Sequence, residues 1–159
     1  MTTKVLFVCL GNICRSPAAE GVFLRKLKAK GLSSSFEVDS AGTGAWHAGS
    51  PADLRMKNAA QKRGIFLTSL ARQINEKDFQ IFDFILTMDN DNYETINLLA
   101  EESNEKINAT IRPFLSYAKK YQLMEVPDPY YGGESGFEKV LDLIEDACDG
   151  FIDDFIENL

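Results

Sequence analysis

Cys9 and Arg15 are separated by five residues in the run Cys9-Leu10-Gly11-Asn12-Ile13-Cys14-Arg15-Ser16-Pro17. In a loop that joins a strand to a helix N-terminus, unpaired backbone N–H groups and the helix dipole favour an anion, so the loop suits a phosphate. The same field favours thiolate over thiol and makes Cys9 a nucleophile. Arg15, at the helix start, places a planar fork against two phosphoryl oxygens, which lysine could not do. Gly11 permits a loop conformation that other residues resist, the Asn12 side chain ties the loop's backbone, and the Ser16 hydroxyl donates to the cysteine sulfur. An isolated cysteine and arginine are more often a core thiol and a solvated charge. The preceding strand and the Ser16-Pro17 helix start reverse those odds.

Phosphoryl transfer to sulfur leaves an oxygen in need of a proton, and a positioned carboxylic acid contributes about 10²–10⁴-fold there. Asp128 is the candidate. It stands in Val126-Pro127-Asp128-Pro129-Tyr130-Tyr131-Gly132-Gly133, where two prolines fix the backbone around one acid. Alone, Asp-Pro is usually just a turn; pairing with the Cys9 loop gives it a task.

The elements that must position these groups are legible in outline. Val5 to Val8 form an apolar run that ends at Cys9, as a strand buried on both faces of a parallel sheet would. Ser16 as N-cap and Pro17 at the first helical position start a helix with a buried stripe of Ala19, Val22, Phe23 and Leu27, stopped by Gly31. Phe36 to Ser40 alternates as a second strand, followed by a glycine-rich loop from Gly42 to Gly49. Pro51 is expected to open a second helix, to about Lys62. Phe82 to Leu86 reads as a third strand, and Ile111 to Leu115, interrupted by Pro113, as a short fourth. Phe137, Val140, Leu141, Ile144, Cys148, Phe151, Ile152 and Phe155 share one face of a C-terminal helix. Alternating strands and helices predict a doubly wound α/β fold, which binds ligands outside the carboxyl ends of its strands, where the Cys9 to Arg15 loop lies.

At 159 residues and 45% hydrophobic content, the chain suits one domain, residues 1–159, around a single core. The net charge of -7 argues against nonspecific binding to nucleic acid or an anionic membrane. His47 is the only histidine, so a Ser-His-Asp triad or a zinc site would have to be built around it, with no other histidine and no CxxC pair available, and no metal or cofactor is expected. Three cysteines, two in one loop, are not a disulfide framework, and the N-terminal apolar run is too short for a signal peptide or a membrane span. A cytoplasmic setting is the expectation.

At these residues the chain closely resembles the low-molecular-weight protein tyrosine phosphatases. The likeness runs from Val8 to Pro17 with Ala19-Glu20, through Ser40-Ala41-Gly42-Thr43, Gly49-Ser50-Pro51, Ala71-Arg72-Gln73 and Met88-Asp89, to Asp128-Pro129-Tyr130-Tyr131-Gly132-Gly133. The resemblance implies a four-stranded parallel sheet between helical layers, no metal, a phosphocysteine on Cys9, and Asp128 as acid and then as base for water. It also implies that Arg15 holds the transferring group and that Asn12, with Ser40 as partner, stabilises the loop. Implied substrates are tyrosine-phosphorylated proteins and small aryl phosphates, with inorganic phosphate as product. The family's pocket wall is aromatic, and Trp46, Tyr130 and Tyr131 are the candidates, with Leu10 and Ile13 in the loop; ordinary loop packing remains an alternative for Trp46, and cover of a core edge for the two adjacent tyrosines. Many relatives carry a histidine before Ala-Arg-Gln, where this chain has Thr68-Ser69-Leu70, so the support around Asn12 is expected to differ.

Cys14 suggests that peroxide closes a reversible Cys9–Cys14 disulfide protecting the nucleophile. A Cys14→Ser variant recovering from peroxide as fully as the parent would exclude this. Three rivals stand beside the phosphatase. Arsenate reductases share the loop but need two further cysteines downstream, and Arg72 to Arg112 contains none. Protein arginine phosphatases tend to carry threonine where Ile13 stands. A noncatalytic phosphate-binding module would have no use for Asp128.

Overall fold

The computed structural model describes every residue except Met1, Glu105 and Tyr131. Strand β1 (Thr3–Cys9) is the hinge of the arrangement. Its apolar residues alternate between two cores. Val5 and Phe7 join one cluster with helices α1 (Arg15–Ala29), α2 (Leu54–Lys62) and α5 (Glu134–Glu157). Leu6 and Val8 join the other with Phe79 of the short helix α3 (Asp78–Ile81) and Ile96 of α4 (Asn90–Glu102). A strand buried on both faces needs this double cover, and the result is three layers, helix on sheet on helix.

The sheet has four strands in the order β2-β1-β3-β4, all parallel, with β2 at Phe36–Gly42, β3 at Phe84–Thr87 and β4 at Thr110–Pro113. The chain steps one way from β1 to β2 and the other way to β3, so the carboxyl end of β1 is the switch point where such folds open a crevice. Cys9, in register with Gly42, is the last residue of that strand. The larger core is built on phenylalanine: Phe7 meets Phe23 and Phe114 edge to face at 5.6 and 5.0 Å. Such pairs add about 0.5–1.5 kcal/mol each beyond the area they bury.

Four boundaries differ from the sequence reading. Helix α1 begins at Arg15, with Cys14 as N-cap, so Ser16 is not the cap; its hydroxyl is taken by Asn12 and Cys9. Helix α2 is opened by Asp53, whose carboxylate accepts from the Arg55 N–H, whereas Pro51 bridges to Leu70. Phe82 belongs to the end of α3, its N–H bonded to Asp78, so β3 starts two residues later. Pro113 closes β4 instead of interrupting it, and Phe114–Tyr117 turn into a 3₁₀ helix.

Gly150, in the middle of α5, lies against the Tyr117 carbonyl, and a Cβ there would overlap that backbone. Glycine to alanine in a helix ordinarily gains about 0.5–1 kcal/mol. Overpacking against a backbone that cannot step aside costs about 1–3 kcal/mol, which is larger. Gly150→Ala is therefore expected to lower the melting temperature by several degrees; an unchanged or higher value in a thermal scan would show that the 3₁₀ turn yields.

Candidate active site

The loop from Cys9 to Arg15 curls over the N-terminus of α1. Only Asn12 in it has a left-handed backbone, φ 57°, so the conformational demand falls on Asn12 and not on Gly11 as expected. Asparagine is among the few residues that accept this region. What Gly11 supplies is room, since a Cβ there would press within 3.1 Å of the His47 ring. Curling the loop turns the Asn12 N–H onto Cys9 Sγ at 3.3 Å, while Ser16 Oγ lies 3.0 Å from the same sulfur. Two hydrogen-bond partners thus converge on one buried sulfur.

Arg15 is almost fully buried, and its guanidinium is aimed from three sides. It donates to Asp89 Oδ2 at 2.7 Å and to the Val126 carbonyl at 3.0 Å, and it lies 3.6 Å from Asp128 Oδ2. Burial works against its charge, but Cys9, Asp89 and Asp128 outweigh burial and hold it above the ordinary arginine range. Asp89 is a residue the sequence reading quoted without giving it a task. Its other oxygen caps α4 by accepting from the Asn92 N–H, so one carboxylate ties a helix start to the site. The signal was available: an acid directly between a strand's carboxyl end and a helix.

A cavity of about 310 Å³ opens here, with Cys9, Arg15 and Asp128 in its wall. Leu10, Gly11, Ile13 and Cys14 line it from the loop, and Trp46, His47 and Tyr130 from the rim. His47, which sequence alone offers only as a metal or triad ligand, stands in this wall beside Tyr130, ring centroids 6.3 Å apart. The Trp46 indole lies on Gly44, where any Cβ would enter the ring, and is 72% exposed, so it forms a lip instead of core. Arg55 is clamped by Asp53 and sits 5.4 Å over the Tyr130 ring, which steadies that wall. Tyr131 lies outside the described residues. Among the described residues there is no cluster of three or more His, Cys, Asp or Glu able to hold a metal ion.

Asn12, Ser16 and Ser40 stand behind the cavity. Asn12 Nδ2 donates to Ser16 Oγ at 2.7 Å and Ser40 Oγ at 3.0 Å; Ser40 in turn donates to Glu20 at 2.6 Å. Ser69, in the place of the relatives' histidine, shares a hydrogen bond with Glu20 instead of reaching Asn12. Burial raises the Glu20 carboxyl, and Asp39 adds to it, against the lowering by the Ser40 bond.

All three cysteines are unpaired. Burial, followed by Asp53 and Cys9, pushes the Cys14 thiol up to about 12. An acid raised on folding binds more protons folded than unfolded above its ordinary range, so its contribution to stability falls as pH rises past about 9. Relative to Cys14→Ser, the parent should lose about 1.4 kcal/mol between pH 8 and 10. Parallel urea curves at the two pH values measure it, and equal losses would contradict the burial.

The sequence model described as low molecular weight phosphotyrosine protein phosphatase matches residues 4–159. The rat low molecular weight phosphotyrosine protein phosphatase is 42% identical over 152 residues, 94% of each chain. Among solved structures, a protein tyrosine phosphatase from Entamoeba histolytica superposes with a TM-score of 0.92 at 42% identity, covering 99% of both chains. The arginine phosphatase of Drosophila also reaches 0.92, at 31% identity over 96% of this chain and 98% of its own. Shape alone therefore does not separate the two chemistries, but family membership does not depend on shape alone. Matched along nearly its whole length, the chain belongs to the low molecular weight phosphotyrosine protein phosphatase family.

Proposed function

We propose that residues 1–159 act as one catalytic domain that hydrolyses phosphotyrosine through a phosphocysteine on Cys9. Family membership makes the chain a protein tyrosine phosphatase; the residue roles are inferred from the site. The observation that carries them is the convergence of Cys9, Arg15 and Asp128 on one cavity over a helix N-terminus. The Cys9 thiolate attacks phosphorus, the bond to the phenolic oxygen breaks, and Asp128 gives that oxygen its proton. Arg15 and the first-turn amides of α1, which have no intrahelical partner, hold the equatorial oxygens. Asp128, now a carboxylate, takes a proton from water as it attacks phosphocysteine, releasing inorganic phosphate and restoring the thiolate. The substrates are phosphotyrosine-containing molecules, with tyrosine-phosphorylated proteins as the physiological class. Cys14, buried beside Cys9, is the partner for a protective disulfide under peroxide, which a Cys14→Ser variant with unimpaired recovery would refute.

Apolar Ile13 in the cavity wall, which Leu10 and Tyr130 also line, supports a flat aryl group over a guanidinium. The test is hydrolysis of phosphotyrosine, phosphoserine, phosphoarginine and p-nitrophenyl phosphate without added metal. Turnover of the two aryl substrates is expected; preference for phosphoarginine would transfer the chain to the other chemistry. Among the described residues no helix is long and apolar enough to cross a membrane, and a cytoplasmic setting remains part of the proposal.

A further inference from the structure

Arg72 lies outside the catalytic cavity, yet its backbone N–H donates to Asn12 Oδ1 at 3.0 Å. An amide N–H can only donate, so this bond fixes which end of the Asn12 side chain faces which partner. With Oδ1 committed to Arg72, Nδ2 must face Ser16 and Ser40, and it does, at 2.7 and 3.0 Å. Both hydroxyl oxygens then accept, and each must spend its own hydrogen elsewhere. For Ser40 the outlet is Glu20 at 2.6 Å. For Ser16 the outlets are Cys9 Sγ at 3.0 Å or the Ala41 carbonyl at 3.5 Å, and the shorter one is the sulfur. With the Asn12 amide reversed, Ser16 would donate to Oδ1 and turn a lone pair toward the thiolate. One backbone amide therefore sets the polarity of the whole chain of bonds ending on the nucleophile.

That amide is held with unusual redundancy for a surface loop. The Arg72 guanidinium bridges Asp39 of β2 and Asp78 at the start of α3, with two nearly parallel bonds of 3.0 and 3.1 Å to the latter. Asp78 is buried and also accepts the Asn75 N–H. The carbonyl of Arg72 accepts from the Gly42 N–H at 2.8 Å, next to the end of β1. A bidentate, partly buried arginine pair is the kind of ion pair that fixes geometry.

We propose that Arg72, clamped by Asp78 and Asp39, is a positioning residue that orients Asn12 and thereby directs the Ser16 hydroxyl onto the Cys9 thiolate. The proposal rests on Cys9 being the nucleophile. Among the described residues, the charged or titratable groups around Arg72 include Asp39 from β2, Asp78 from α3 and Glu20 from α1; those around Cys9 include Cys14, Arg15, Asp128 and His47.

The test is a double-mutant cycle read by kcat, KM and the rate at which iodoacetamide alkylates Cys9 at pH 6. Arg72→Leu is expected to lower kcat and the alkylation rate together by about tenfold, as for loss of a hydrogen bond to a charged group, with KM nearly unchanged. Asp78→Asn should give the same pattern, smaller, and Arg72→Lys should recover part of it. In an Asn12→Ala background the Arg72→Leu change should have no further effect, because the relay is already cut. Additive losses in the cycle would mean that Arg72 acts through its charge or through general stability, and would overturn the proposal. Should Arg72→Leu fail to fold, Asp78→Asn in the two backgrounds decides in the same way. Failure of the underlying reading looks different: the parent would turn over substrate without being inactivated at Cys9.

Discussion

Cys9→Ser is expected to reduce turnover of phosphotyrosine and p-nitrophenyl phosphate by at least about 10⁴-fold while leaving phosphate binding in place. Replacing a nucleophile removes the step on which the other groups act, so the loss approaches that of removing the whole assembly. Serine fills nearly the same space, and the Asn12 N–H and the Ser16 hydroxyl, 3.3 and 3.0 Å from the sulfur, would still meet an oxygen there. A serine hydroxyl is a far weaker acid and nucleophile than a cysteine thiol, so the pocket survives and the chemistry stops. Isothermal titration with inorganic phosphate and a turnover assay on the same sample read the two halves separately. A variant that kept a tenth of the parent's turnover would remove Cys9 from the mechanism.

Asp128→Ala is expected to lower kcat/KM for phosphotyrosine by about 10²–10⁴-fold, the usual contribution of a positioned acid. The loss in kcat/KM should be much smaller for p-nitrophenyl phosphate, whose leaving group departs without help. The structure prepares the carboxyl for this: Oδ1 is pinned by the Tyr130 N–H at 3.0 Å, and Oδ2 faces Arg15 at 3.6 Å. The side chain is 41% exposed, so the ion pair itself contributes little to stability and the variant should fold. Equal losses of kcat/KM on the two substrates would exclude protonation of the leaving group by Asp128.

The parts of this molecule that could be read from sequence are those whose physics is local. The β1 run, the α1 stripe of Ala19, Val22, Phe23 and Leu27, and the α5 face from Phe137 to Ile152 are all buried, because burial on a fixed period leaves a mark on the chain. Cys9, Arg15 and Asp128 carry side chains whose chemistry suggests itself once their loops are recognised, and the cavity contains all three. Helix α4 was not read, because its apolar positions are sparse and only Asn92 and Ile96 are buried in it. The starts of α1 and α2 were misplaced because Ser16 and Pro51 fit general preferences for helix starts but are engaged elsewhere, by Asn12 and by Leu70. Asp89, His47 and the Arg72 clamp were missed as parts of the site for a different reason. Each depends on a contact across sixty or more residues or between separate loops, such as Arg15 with Asp89, and no local pattern records such a contact.

The most direct test of the central claim is to mix Asp128→Ala enzyme with excess p-nitrophenyl phosphate, whose leaving group needs no acid, then quench within milliseconds, digest and locate phosphate by mass spectrometry; loss of the base slows hydrolysis, so the covalent intermediate should accumulate. The account predicts one phosphoryl group per chain, on the peptide bearing Cys9, that disappears in the Cys9→Ser background. Product release with no phosphoenzyme at any time, or phosphate on another residue, would contradict it.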